Sequence, residues 1–354
     1  MHMADALLAP AVAATMYVAS GTAAGISISK LKKEDDPQKL PTMAVAAALV
    51  FAGQMINYTI PGTGSSGHLC GGMLLSALLG PYAGFLSMIV ILAIQCLFFA
   101  DGGLMALGAN IWNMAFYGCF VGYFLIWRPI VRSGWFSHME TKAALRLKII
   151  LASVLGCIVT LQLGAFSVVL ETSLSGITEL PFGAFAAVMQ PIHLAIGLVE
   201  GLITAAVLVF VFEARPELLK EVDSERNGLP NRQSLKTTVL VLAAAALVVG
   251  GGLSLLASSN PDGLEWALFG NAEEGYQENM GLDEEEFGVN SSVADAAQSV
   301  QDKTSFLPDY AFPESDSAAG TTVSGIVGGV LVAGVAALVC FLCGFFRKKK
   351  IQAA

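Results

Sequence analysis

Histidines at two distant places in the chain have neighbours that suit metal binding. The chain opens with Met1-His2-Met3, and His68 follows the Gly/Ser-rich run 64–67. A large residue at position 2 disfavours removal of the initiator methionine, so we expect the chain to begin with the Met1 amine. That amine, the His2 amide nitrogen and the His2 imidazole can close fused chelate rings around one ion, and His68 would supply a fourth nitrogen. Four nitrogens in a plane suit Ni(II) or Cu(II), tolerate Co(II) and suit tetrahedral Zn(II) poorly. The residues therefore predict a metal site formed by Met1, His2 and His68.

Two polar neighbours belong to the same hypothesis. Asp5 is expected to accept a hydrogen bond beside the site or to cap the first helix, because a carboxylate is favourable at a helix start. Ser66 is a candidate to support His68 from the same loop. The simpler alternative is that His2 is an incidental interfacial residue and that His68 binds loop carbonyls. Cys70, two residues from His68, is expected to be a small packing residue.

A serine hydrolase is the alternative of a different class. The run 64–67 fits a G-x-S-G pattern, with Ser66 as nucleophile and His193, on a later apolar segment, as base. The two side chains would have to meet within hydrogen-bond reach, and no oxyanion donor is evident. His193 also shares a helix face with Glu200, seven residues on. An ionisable pair inside a membrane suggests function, but a structural polar pair is the favoured interpretation here.

The elements that must position these residues are membrane helices. Of 354 residues, 55% are apolar and 13% are charged, and the mean hydropathy is +0.67. Soluble domains carry about 25% charged residues, and the apolar runs here are long enough to cross a hydrocarbon core of about 30 Å. The fold class is therefore an all-α, polytopic membrane protein. The residues before the first apolar run lack the positive charge of a signal peptide, so we expect that run to be retained.

Nine apolar segments are predicted to span the membrane. They fall near residues 4–29, 42–60, 66–80, 82–100, 104–127, 147–170, 185–212, 237–257 and 321–346. The third is short and glycine-rich, and Gly80-Pro81 separates it from the fourth. Basic residues concentrate on the cytoplasmic side of a bacterial-type membrane. If the third segment crosses the membrane as a span separate from the fourth, 18 of the 19 basic residues lie on one side of the membrane. Lys303 is the exception. This predicts an N-terminus outside and a C-terminus inside.

The charge distribution divides the chain. Residues 259–316 hold 14 of the 28 acidic residues and one lysine, which leaves +4 for the remainder of a chain whose net charge is −9. This acidic outer segment, 258–320, has few aromatic residues and contains the run Asp283–Glu286, so we expect much of it to be solvated. Residues 216–236 are charged, with two prolines, and are predicted to be a cytoplasmic linker. Residues 1–215 and 237–354 are then separate modules.

The region from His68 to Trp127 resembles a known transporter family. The resemblance is carried by Leu69–Met73, Leu78–Pro81, Phe99–Gly103 and Ala106–Met114, with Met1-His2-x-x-Asp5 and His193–Ile203 in support. These motifs closely resemble the CbiM/NikM family, the substrate-capture (S) components of cobalt and nickel energy-coupling factor transporters. The resemblance covers about residues 1–215. It implies a seven-helix S component with its N-terminus outside, and a divalent metal held by the Met1 amine, His2 and His68. Gly67 stands where the family often has a hydroxyl residue or a cysteine.

The rest of the chain resembles the small N-type partner of that family. Ser258–Trp266 contains its Pro-Asp-Gly-Leu-Glu motif, with a membrane helix on either side. By the residues alone, Pro261-Asp262-Gly263 is a turn signature, and a turn that only begins the outer segment is the alternative. Such fusions are associated more often with nickel than with cobalt, so Ni(II) ranks first as the transported ion and Co(II) second. No cofactor is expected.

The partners follow from the resemblance and from a missing motif. The sequence has no G-x-x-x-x-G-K-[ST] phosphate loop, so ATP hydrolysis would belong to other polypeptides. The resemblance implies a transmembrane coupling (T) subunit and two ATPase subunits, with membrane lipid around the helices and no role for nucleic acid. The chain is therefore predicted to be a non-enzymatic component of ATP-driven metal uptake in a prokaryotic inner membrane. The small-residue ridges Gly21-x-x-x-Gly25 and Ala44–Ala52 are candidate docking faces for the T subunit.

Overall fold

A computed structural model gives the architecture of the chain, which is almost entirely helical. It describes residues 1–34, 36, 38–222, 228–229, 233–271, 280, 282, 288–312 and 319–352, with the side chains of 346–352 left out. The helices are α1 Pro10–Leu31, α2 Lys39–Gln54, α3 Gly72–Leu79, α4 Pro81–Phe99, α5 Leu107–Arg132, α6 Thr141–Leu174, α7 Phe182–Ala214, α8 Leu235–Gly251, α9 Gly263–Phe269, α10 Ser292–Thr304 and α11 Ala319–Gln352. Residues Ile111–Trp127 of α5 are π-helical. A hairpin of β1 Tyr58–Ile60 and β2 Ser65–Gly67 lies between α2 and α3.

Proline and glycine set the helix boundaries that sequence patterns predict. α1 begins at Pro10, where the missing N–H is harmless because a first-turn donor has no helical acceptor. Gly80 has a φ of +83°, which ends α3, and Pro81 starts α4 directly after it. The prediction that Gly80-Pro81 divides two segments is therefore confirmed.

The outer faces of the long helices carry apolar side chains that a water-soluble protein would bury. Val18 of α1, Leu125 of α5 and Val330 of α11 are each at least 60% exposed. Contiguous apolar surface of this kind marks contact with another apolar phase. Within the described residues, six helices are long and apolar enough to cross a membrane. The chain is a multi-pass membrane protein.

Not all of the nine predicted segments are helices long enough to span the membrane. α2 and α8 have 16 and 17 residues, and α3 has 8. At a rise of 1.5 Å per residue, α3 is only about 12 Å long, too short to cross a core of about 30 Å. The prediction that residues 66–80 form a spanning helix is therefore wrong, because strand β2 takes up the start of the segment and Gly71, with a φ of +84°, precedes the first turn of α3.

The third segment nevertheless runs from one end of the helix bundle to the other. At its start, His68 contacts the Met1 amine. At its end, the Leu79 carbonyl accepts a hydrogen bond from Lys39 Nζ at 2.6 Å, and the Ala77 carbonyl accepts one from the Lys220 backbone N–H at 2.8 Å. An extended stretch followed by a short helix thus covers the distance that a full helix was expected to cover.

Basic residues from separate loops meet at the end of the bundle opposite Met1. Glu221 lies 3.8 Å from the Arg128 guanidinium and also contacts Arg132. The Lys220 ammonium lies 3.9 Å from Asp36. The first three basic clusters therefore share one end of the bundle, as the charge pattern predicts. Which end faces the cytoplasm stays a prediction.

The C-terminal part of the chain packs against the alanine ridge of α2. Ala48 and Ala52 contact Ala246 of α8 in a small apolar cluster. At the crossing of α8 and α11, a Cβ on Gly325 would lie 1.9 Å from the Gly250 carbonyl oxygen. Close approach through small residues is the usual basis of helix packing in membranes. The alanine ridge is thus occupied within the chain.

The other small-residue ridge is open. A Cβ built on Gly21 or on Gly25 would meet no atom within 4 Å.

Some sequence expectations lie outside the described residues: the acidic run Asp283–Glu286, the linker residues 223–227 and 230–232, and the basic side chains of 347–350.

Candidate metal centre

The N-terminal residues are fixed by the loop that leads into α5. The Met3 backbone N–H donates to Asn110 Oδ1 at 2.8 Å, and the Asn110 amide donates back to the Met3 carbonyl at 3.1 Å. That carbonyl also accepts from the Gly103 N–H at 2.9 Å. Because the Met3 peptide is held on both sides and its side chain is fully buried, the chain terminus has a defined position.

His68 lies in a bend that a buried carboxylate supports. Glu200 of α7 accepts hydrogen bonds from the backbone N–H groups of Cys70 at 3.0 Å and Gly71 at 2.9 Å. Gly71 has a φ of +84°, and a Cβ there would meet Val50 at 2.3 Å, so the bend requires glycine. The Cys70 thiol donates to the Met114 carbonyl at 3.1 Å, which fits the packing role expected of it. Glu200 therefore has the structural role that the sequence favoured.

The predicted ligands converge at this end of the bundle. The Met1 amine nitrogen lies 3.1 Å from His68 Nε2. The His2 and His68 rings stack with centroids 5.2 Å apart and an interplanar angle of 18°. His68 Nδ1 lies 3.2 Å from the Leu69 carbonyl, which leaves Nε2 directed at the amine. Burial lowers the pKa of His68 and the adjacent N-terminal ammonium lowers it further, so this imidazole is neutral at pH 7 and ready to bind a metal.

A carboxylate from the C-terminal part of the chain completes the cluster. Asp262 Oδ2 forms an ion pair with the Met1 ammonium and lies 3.7 Å from His68 Nε2. Burial acts to raise the pKa of Asp262, but the N-terminal ammonium and His68 together outweigh it and hold this pKa well below the usual range. No group of three His, Cys, Asp or Glu side chains among the described residues could hold a metal ion. The cluster needs the terminal amine.

His2 is held by a second carboxylate. Its Nδ1 lies 3.0 Å from Asp101 Oδ1, and the other oxygen of Asp101 accepts a hydrogen bond from the Tyr310 hydroxyl at 2.5 Å. Burial acts to raise the pKa of Asp101, but His2 and Tyr310 outweigh it and lower this pKa. His2 Nε2 is buried and has no hydrogen-bond partner in the described part of the chain.

Asp5 accepts a hydrogen bond but does not cap α1, and Ser66 contacts the turn that carries Asp262. Asp5 Oδ1 accepts from the Ala106 N–H at 2.9 Å, and the cap position of α1 is Ala9, without a side-chain hydrogen bond. Asp5 therefore fixes the loop before α5 and does not cap α1, because the chain turns once through residues 5–7 before α1 begins. Ser66 Oγ donates to the Asn260 carbonyl at 2.7 Å, so it holds the turn that carries Asp262.

Nothing in the described residues supports the serine hydrolase alternative. The Ser66 hydroxyl donates to a backbone carbonyl, and His193 Nδ1 lies 2.8 Å from the Met189 carbonyl. No hydrogen bond joins Ser66 to His193 among the described contacts, so the serine has no base to activate it.

The turn 260–263 is docked on the first part of the chain by backbone contacts. The Ser66 N–H donates to the Pro261 carbonyl at 2.8 Å. A Cβ on Gly263 would lie 2.8 Å from Ile196 and 3.2 Å from the His193 ring, so this position must be glycine. The turn does more than begin the outer segment, since it brings Asp262 to the cluster.

An open cavity of about 560 Å³ leads to the cluster from the surface. Its lining comes from both parts of the chain, and the charged or ionisable members are His2, Asp5, His68, Asp101, Asp262, Glu265, Asp309 and Tyr310. Carboxylates that line a cleft raise the local concentration of cations. The cavity therefore gives a divalent cation a favourable approach to the Met1 amine.

We expect Glu200→Ala to weaken both the fold and metal binding. Each backbone N–H left unsatisfied in the His68 bend costs about 1–3 kcal/mol, and a loss of ligand support costs about 10–100-fold in affinity. Thermal unfolding in detergent and metal titration measure the two effects. Glu171→Ala is the matched control, because Glu171 is also buried but accepts from the Asn113 side chain at 2.8 Å. Equal losses of affinity in both variants would contradict the specific role of Glu200.

Two family descriptions match the chain. The CbiM family, "Cobalt uptake substrate-specific transmembrane region", matches residues 2–218. The PDGLE domain matches residues 236–344.

Relatives and solved structures match across most of the chain. A protein of Archaeoglobus fulgidus named as a fused nickel transport protein, NikMN, is 35% identical over 94% of this chain and 95% of its own length. A cobalt transport protein, CbiM, of Sorangium cellulosum is 30% identical over 64% of this chain and 97% of its own. A crystal structure of a truncated transition metal transporter has a TM-score of 0.51 and 32% identity, covering 60% of this chain and 99% of that one.

Proposed function

This chain belongs to the CbiM family, and from that membership we propose that it captures Ni(II), or alternatively Co(II), outside the cell as the substrate-binding S component of an ATP-driven transporter. One observation carries the proposal: the Met1 amine and His68 Nε2 lie 3.1 Å apart at the inner end of an acidic cavity. The relatives named for nickel and cobalt support a metal as the transported substrate.

The proposed ligands are the Met1 amine, the amide and imidazole nitrogens of His2, and the His68 imidazole. The chelate needs His2 Nδ1, which lies 3.0 Å from Asp101 Oδ1. Metal binding therefore requires the His2 ring to turn away from Asp101. Of the two transported ions proposed, four nitrogens in a plane favour Ni(II), since affinity at such sites rises from Co(II) to Ni(II).

We expect metal binding to release at least two protons per ion at neutral pH, besides any proton that His2 Nδ1 gives up when it leaves Asp101. One leaves the Met1 ammonium that pairs with Asp262, and one leaves the His2 amide, because ligands must be deprotonated. His68 releases none, since its lowered pKa makes it neutral already. Both protons leave through the cavity to solvent. Calorimetry in buffers of different ionisation enthalpy gives the number released.

The same titrations test the choice of metal. Purified protein in detergent is titrated with Ni(II) and with Co(II) against a chromophoric chelator, and elemental analysis identifies the metal that co-purifies. We expect tighter binding of Ni(II). Release of no protons would contradict coordination by the amine and the amide, and an absence of high-affinity binding of either metal would contradict the function.

The organisation of the transporter extends the proposal. Residues 1–215 form the seven-helix S component, 216–236 the cytoplasmic linker and 237–354 the N-type module, with the N-terminus outside and the C-terminus inside. A T subunit and two ATPase subunits drive release, and the exposed ridge Gly21-x-x-x-Gly25 is the candidate docking face, since the alanine ridge of α2 packs against α8. Co-purification with and without Gly21→Leu tests that face.

A further inference from the structure

Asp262 is held so that one of its oxygens is used for structure and the other faces the metal cluster. Oδ1 accepts from the Leu264 N–H at 2.8 Å and the Glu265 N–H at 2.9 Å, which caps the short helix α9. The preceding Pro261 carbonyl is fixed by the Ser66 N–H. The remaining oxygen, Oδ2, contacts the Met1 amine. The side chain therefore cannot turn away without losing its cap.

The two distances from His68 Nε2 are near those of donors around one ion, and the third pair, the Met1 amine and Asp262 Oδ2, lies closer together. Donors bound at about 2 Å from an ion lie about 3 Å apart when adjacent and about 4 Å apart when opposite. The Met1 amine and His68 Nε2 are 3.1 Å apart, and His68 Nε2 and Asp262 Oδ2 are 3.7 Å apart. The amine lies between the other two, in contact with both. A single ion can reach all three with small shifts of the side chains.

From this geometry the structure assigns Asp262 as a direct oxygen ligand of the captured metal, supplied by the C-terminal part of the chain to nitrogen ligands from the N-terminal part. The assignment rests on the proposed function and adds a donor to it. The carboxylate holds the Met1 ammonium in place. When the ion enters and the ammonium loses its proton, Oδ2 bonds the ion in place of that proton.

The assignment gives the C-terminal part a chemical role in capture. Asp262 lines the cavity through which the cation arrives and is 20% exposed, whereas the Met1 and His68 side chains are 5% and 9% exposed. It is therefore the most accessible of the three side chains. An anionic oxygen also suits an ion that still carries water, since carboxylate is a harder donor than imidazole.

Asp262→Asn in the full-length chain tests the assignment. Asparagine is as good a helix cap as aspartate, so the turn and α9 should stay folded. We expect Ni(II) affinity to fall by about tenfold or more and the visible absorption bands of bound Ni(II) to shift, because the ligand set changes. Affinity is measured by competition with a chromophoric chelator.

Asp309→Asn is the matched control. It removes the same charge from the lining of the same cavity, and its φ of +50° is one that asparagine tolerates. We expect its spectrum to match that of the unaltered protein and its affinity to fall much less than that of Asp262→Asn. A loss of equal size in both variants would overturn the assignment in favour of a general electrostatic effect.

The remaining outcomes separate this inference from the proposed function. Unchanged binding and an unchanged spectrum in Asp262→Asn, or tighter binding, would overturn the assignment while His68→Ala still abolished binding. If His68→Ala bound Ni(II) as tightly as the unaltered protein, the proposed nitrogen site itself would fail, whatever Asp262→Asn did.

Discussion

His68→Ala is expected to reduce Ni(II) affinity by more than about 100-fold while the protein still inserts and folds. The lower bound follows because residues that only support a ligand already cost about 10–100-fold when they are removed. His68 Nε2 is the imidazole nitrogen next to the Met1 amine, and no other described His, Cys, Asp or Glu side chains form a metal cluster that could replace it. Isothermal titration of purified protein in detergent measures the affinity.

The fold is expected to survive because the bend around His68 is held by its neighbours. Glu200 binds the backbone of Cys70 and Gly71. Within its own loop, the His68 ring contacts the Leu69 carbonyl, and its other contacts are to the proposed site. His138→Ala is the matched control, since His138 is an exposed histidine in the loop after α5. Affinity that stayed at the level of the unaltered protein in His68→Ala would remove the imidazole from the ligand set.

Most of the fold could be predicted from the sequence because hydropathy, proline and basic residues act locally. The long helices fall where apolar runs are long, and Gly80-Pro81 separates α3 from α4. The sequence did not predict that the first half of the third segment is extended and only its second half is helical. Its extended half is stabilised by Glu200 and by the turn 260–263, and both are contacts between residues more than 100 positions apart.

The candidate site could be predicted only in part, for a related reason. His2 and His68 stood out because histidine is rare in this chain and both lie near predicted outer loops. Asp101 and Asn110 lie inside the motifs that carry the family resemblance, and Asp262 lies inside the Pro-Asp-Gly-Leu-Glu motif. The motifs marked these residues as part of the family pattern but did not indicate what each side chain contacts. Their roles depend on which loops meet at one end of the bundle, and composition and periodicity do not encode that.

A residue added before Met1 is expected to abolish high-affinity metal binding. An extension turns the terminal amine into an amide, which removes one of the proposed ligands and the positive charge that pairs with Asp262. The Met1 nitrogen contacts both Asp262 and His68, so the added group would have to displace at least one of these contacts. We expect an affinity loss of more than about 100-fold, measured by titration on protein with one added glycine.

The position of the added residue shows whether the loss of binding depends on the N-terminal amine. Protein tagged at the C-terminus is the control, since its amine is unaltered, and protease removal of the added residue should restore binding. Stability should also fall by about 1–3 kcal/mol, because Asp262 keeps its cap but loses a buried donor. Full binding by the extended protein would exclude the amine as a ligand.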